Sequence, residues 1–112
     1  MTMSETMVTM EGAWVGVRDG VLHMKGQPYG QSVSLAVDEP GRLARVLRGT
    51  VEETVGAVCV FGCDSGLVTV SPWCDELMGL CVRVDAVGHR GQVRAILSHD
   101  EAHELATMLE GQ

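Results

Sequence analysis

The chain has 112 residues, enough to bury one hydrophobic core and too few for two independent ones, so a single domain spanning 1–112 is expected. Apolar residues make up 46% and aromatics only 4%, which excludes a disordered chain and calls for a core of Val, Leu, Ala and Met. The formal net charge of -7 opposes wholesale binding to nucleic acid or to an anionic membrane, because polyanions are repelled at long range.

The opening MTMSETMVTM has neither the basic start nor the apolar run of a signal peptide, and no stretch approaches the roughly 20 apolar residues of a membrane span. A cytoplasmic protein is therefore expected, with no membrane partner. Cys59, Cys63, Cys74 and Cys81 are then expected to be reduced thiols without a disulfide.

The first local signal lies between Trp14 and Lys25. Asp19-Gly20 supplies the positive φ angles of a two-residue hairpin turn. Folding about it sets Val17 against Leu22 and Val15 against Met24 on one face, with Trp14, Gly16, His23 and Lys25 on the other. Met7 to Met10 would add a strand before it. Gln31 to Val37 then alternates as a strand with Val33, Leu35 and Val37 on one side. Asp38 is placed to cap a helix, Pro40 suits its first turn, and Leu43, Val46 and Leu47 form an apolar stripe before Gly49. A helix over about 39–48 follows.

Val55 to Phe61 is a nearly continuous apolar run, and the turn-rich segment from Gly62 to Gly66 joins it to a second strand from Leu67 to Ser71. The segment from Pro72 to Gly79 is expected to be a loop or a short helical turn. Leu80 to Val87 and Gln92 to Leu97 form a hairpin if they close about Gly88 to Gly91. Val84 then meets Ala95, Ala86 meets Val93, and Asp85 opposes Arg94. Ser98 and Glu101 match the capping box, so a second helix begins near His99, buries Ala102, Leu105, Ala106 and Leu109, and ends at Gly111.

When Asp38 is laid on Asp100, six residue types coincide through Gly49 and Gly111, and Leu35 falls on Leu97 in the preceding strands. Convergent helix chemistry alone accounts for such a match as well as duplication does. The expected fold class is α+β: two antiparallel β-rich units of three to four strands, about 7–49 and 55–111, each followed by one helix, in a pseudo-duplicated single domain. This layout resembles the tandem four-strand-plus-helix order of single-strand-binding and regulatory proteins of the PUR and Whirly type. No motif of those families is present, so the resemblance is one of layout alone.

Candidate site residues are few. Arg42, Arg45 and Arg48 recur at every third position of the first helix, either as a basic ridge for a partner or as a solvated face. Trp14 falls on the hairpin face away from the apolar set and calls for a cover, while His89 and Arg90 stand at a hairpin tip. His99 and His103 have the i, i+4 spacing of two metal ligands, but Asp100 stands where the zincin motif needs Glu. The cysteines lack paired C-x-x-C spacing. Cys59 and Cys81 read as core thiols and Cys63 as a turn residue beside Asp64, whose charge opposes thiolate formation.

No catalytic set, metal or cofactor is assigned. The expected function is non-enzymatic: a protein-binding or regulatory module, of the class of small acidic inhibitor or immunity-type proteins, acting as a homodimer on a protein partner of unknown identity. The alternative is single-stranded nucleic-acid binding through Arg18, Arg83, Arg94 and the helix arginines, which aromatic poverty and net charge disfavour.

Overall fold

The computed structural model describes residues 5–10, 12–26, 31–52, 59–63, 66–77, 79–89 and 91–111. The protein is of the α+β class, with two antiparallel four-stranded sheets, each followed in the chain by a helix. The first sheet is a meander of β1 (Glu5–Val8), β2 (Trp14–Arg18), β3 (Val21–Lys25) and β4 (Ser32–Ala36), and α1 (Pro40–Glu52) follows it. The second meander is β5 (Cys59–Cys63), β6 (Gly66–Asp75), β7 (Gly79–Gly88) and β8 (Gly91–Leu97), and α2 (His99–Glu110) follows.

Turn chemistry fixes the first register. Asp19 and Gly20 have φ values of 51° and 74°, the pair of left-handed residues that a tight turn between twisted strands requires. Val17 faces Leu22 and Val15 faces Met24 across it, as the sequence predicts. The apolar face extends through Met7 on β1 and through Val33 and Leu35 on β4. In the second sheet Val84 pairs with Ala95 and Ala86 with Val93, and these four side chains are buried with Val68, Val70 and Val82.

Neither sheet has a second apolar layer of its own, and the helices supply it. α1 packs on α2 and on β6 and β7 of the second sheet, whereas α2 also reaches β2 of the first. Leu43, Ala44 and Leu47 of α1 and Leu105, Ala106 and Leu109 of α2 belong to one buried cluster that takes in both sheets. Each helix thus crosses onto the sheet of the other half, and β4 packs directly against β7 and β8.

The two helix starts differ. Ser98 caps α2 through a complete capping box: its hydroxyl accepts from the Glu101 N–H, and Glu101 accepts from the Ser98 N–H. For α1 the first helical carbonyl acceptor is Glu39 and not Asp38, because the N–H groups of Arg42 and Leu43 donate to it and Pro40 occupies the first helical position.

The helix also runs past Gly49, where a stop was expected. Thr50 is buried and its hydroxyl donates to the Val46 carbonyl at 2.8 Å, while Val51 packs against the core, so tertiary burial carries the helix through a residue of low propensity. β6 likewise continues through Pro72 to Asp75, where a loop was expected. Pro72 pairs with Val82 of β7, and on its other side the described β5 ends at the Cys59–Val70 pair. Among the described residues no strand pairs with Pro72 on that side, so its missing N–H removes no described ladder bond. The expected start of β5 at Val55 lies outside the described residues, as do Asp64 and Ser65 of the turn after it.

Leu47 is fully buried in this cluster. Leu47→Ala is expected to cost about 2–5 kcal/mol in urea unfolding, whereas Arg45→Ala on the exposed side of α1 is expected to stay within about 0.5 kcal/mol.

Candidate interaction surfaces

Beyond Ser71 on β6 and Val82 on β7, the ladder among the described residues consists of these two strands alone. Leu97 is the last β8 residue in the ladder, opposite Val82, and the described β5 stops at Val70. Among the described residues, the segment from Trp73 to Cys81 is therefore a two-stranded arm, closed by the pairs Trp73–Cys81, Cys74–Leu80 and Asp75–Gly79. The Asp75 carboxylate accepts from the Leu77 N–H at 2.8 Å, and Gly79 adopts φ 74° to return the chain. This turn holds Leu77 out at the tip with 97% of its surface exposed, next to Leu80 at 51% and Trp73 at 39%.

A ladder of charges on the outer face of the second sheet braces the base of the arm. Arg83 Nε donates to Asp85 Oδ2 at 2.8 Å and Arg94 Nε donates to Asp85 Oδ1 at 3.0 Å. The guanidinium of Arg83 in turn lies 4.8 Å from the centre of the Trp73 ring, within cation–π range. Cys81 is buried as expected, but on this outer face, where its thiol donates to the Trp73 carbonyl at 3.5 Å. The indole is thus held from below by a carboxylate-anchored arginine and by the strand opposite it. Cys74 is exposed, and the side chains of Cys59 and Cys63 lie outside what is described.

A second surface lies on the outer face of the first sheet. Cross-strand registers place Val8, Trp14, Lys25 and Ser32 in one row and Thr6, Gly16, His23 and Ser34 in the next. Gly16 contributes no side chain to the second row, and a groove of about 190 Å³ opens there, bordered by Trp14, His23, Lys25 and Ser34. Trp14 is 53% exposed and Val8 beside it is also exposed. His23 Nδ1 and Ser34 Oγ share a hydrogen bond of 2.7 Å, which fixes the far wall.

The sequence-derived site residues do not converge. Trp14 borders the groove. Arg42 and Arg45 are exposed on α1, and Arg42 pairs with Glu39 at 3.3 Å. Arg48 leaves that ridge: it donates to His103 Nδ1 at 2.9 Å, to Thr107 Oγ1 at 3.0 Å and to the Glu110 carboxylate, joining α1 to α2. His89 is exposed at the tip between β7 and β8, the opposite end of β7 from the arm, and Arg90 lies outside the described residues. Since His103 Nδ1 accepts from Arg48, that nitrogen is engaged. Among the described residues, no three of His, Cys, Asp and Glu gather in a way that would hold a metal ion.

The arm was missed because Pro72 was read as the end of a strand. The available signal is composition: Trp73 and Leu77 are large apolar residues between Pro72 and Gly79, and loops seldom display them without a purpose. Comparison with protein-family models, curated proteins and solved structures finds no match to this chain. No described helix is long and apolar enough to cross a membrane.

Arg48 and Glu110 are only partly buried, so their contact is a modest one. A double-mutant cycle on Arg48→Ala and Glu110→Ala is expected to give a coupling of about 0.5–1 kcal/mol in chemical denaturation. Asp85→Asn, which leaves Arg83 and Arg94 facing each other without their counter-charge, is expected to destabilise by about 2 kcal/mol, short of the 3–5 of a fully buried pair because Arg94 is half exposed.

Proposed function

We propose that the protein is a non-enzymatic binding module that engages a protein partner through the β6–β7 arm. The observation that carries this reading is the arm itself: Leu77 at its end and Leu80 on β7 are exposed, and the ring of Trp73 on β6 lies against Arg83. A flexible loop would lose entropy when it binds, whereas a pre-formed hairpin has met most of that cost on folding. Tryptophan with aliphatic neighbours is also the composition of an interface anchor. The acidic balance of the chain favours a partner with a neutral or basic surface.

A photo-reactive residue placed at position 77 in the native cell is expected to label a protein, and Trp73→Ala is expected to suppress that labelling. The same probe at Arg45 is expected to label nothing specific. Labelling of equal strength at both positions, or none at position 77, would remove the arm from the reading.

One observation favours a second reading, single-stranded nucleic-acid binding: Trp14 offers an exposed ring with Lys25 in the same cross-strand row. Against it, Arg83 and Arg94 both serve Asp85, Arg48 serves α2, and Arg42 and Arg18 stand beside Glu39 and Asp19, so five of the six arginines of that reading already have counter-charges. Fluorescence anisotropy with labelled oligothymidine at low salt is expected to show no binding. Binding that Trp14→Ala abolishes would reverse the order of the two readings.

A further inference from the structure

We infer that the partner of the arm is a second copy of this chain: the arm of each molecule seats in the Trp14 groove of the other, and the two exchanged contacts close a dimer. This rests on the arm being the binding element and adds what it binds.

The molecule carries both halves of the contact. Among the described residues the arm bears the most exposed large apolar side chain, Leu77, 97% exposed at the tip. The groove is a recess on the outer face of a sheet, made where Gly16 leaves out a side chain, and its volume of about 190 Å³ gives room for a branched aliphatic side chain beside the Trp14 ring. Leu77 entering over Gly16 would bring the tip against the exposed ring of Trp14, covering large apolar surface on both partners.

Charge selects the pairing. At a net charge of -7 two copies repel at a distance, so association needs local attraction of opposite sign. The arm carries Glu76 immediately before Leu77. The groove is bordered by Lys25, the only lysine of the chain, and by His23. An acidic, apolar tip and a basic-rimmed, apolar-walled recess are complementary, and neither is complementary to itself. Arm and groove are different surfaces, so a single contact would leave a free arm and a free groove and would propagate. Reciprocal exchange about a two-fold axis satisfies both and stops at two.

The test uses the whole chain in light scattering and sedimentation velocity over a range of concentrations at low salt. The wild type is expected to be a dimer. Leu77→Asp and Trp14→Ser alter exposed positions, leave the circular dichroism spectrum unchanged, and are each expected to weaken dimerisation at least tenfold. Glu76→Lys and Lys25→Glu are each expected to weaken it several-fold, and the double variant, which has the net charge of the wild type, is expected to recover it. Glu76→Lys is informative alone, because it lowers the overall repulsion and would tighten any dimer that did not use this pair.

A wild type that stays monomeric at every concentration, a dimer indifferent to Leu77→Asp, or a double charge reversal no better than the single ones would overturn the inference. If the wild type is monomeric and a different protein is labelled from position 77, the arm remains a binding element and only the second copy is excluded.

Discussion

The contact between α1 and α2 is the interaction on which the rest of the structure depends. Each sheet has one apolar face, and a four-stranded sheet with one bare face is not stable in water. The two helices close both faces together, because their stripes enter a single buried cluster with the sheets and do not cover separate ones. α1 crosses onto β6 and β7, and α2 packs on β2 as well as on β7 and β8, so loss of α1 would uncover the second sheet and loss of α2 would uncover both. The halves are therefore coupled in stability although the hydrogen-bond ladders of their sheets are separate.

The Asp85 ladder shows a different use of energy. A carboxylate that is only 8% exposed has lost most of its water, and two arginines are needed to offset that loss. Apolar residues on the outer face would have avoided the desolvation altogether. What the ions provide is direction: Asp85 fixes Arg83, and Arg83 fixes one face of the Trp73 ring. The ion trio places this cation–π contact at the root of the arm.

Local chemistry was legible in the sequence. The Asp19-Gly20 turn, the Ser98 capping box and the Val84–Ala95 register each depend on residues close in the chain or paired across one tight turn, and each stands where the spacing puts it. What could not be read were extensions decided by distant neighbours. α1 passes Gly49 because the core accepts Val51, and β6 passes Pro72 where, among the described residues, β7 is the strand paired with it. Neither fact has a local signature. The arm was hidden for the same reason, since a proline that breaks a central strand is harmless on an edge and sequence alone does not say which it is.

The charge difference between the helices also changes meaning once they are seen together. In the alignment that lays Asp38 on Asp100, Arg48 falls on Glu110, and these two residues meet in the structure. Their opposite charges attract, so part of the charge difference between the two helices serves their own contact. The helix layer thereby loses Arg48 as a candidate for recognition and keeps only Arg42, already beside Glu39, and Arg45. The exposed apolar side chains, by contrast, gather on the outer sheet faces and on the arm. An interface on this protein is accordingly sought on its strands, while its helices hold the two halves together.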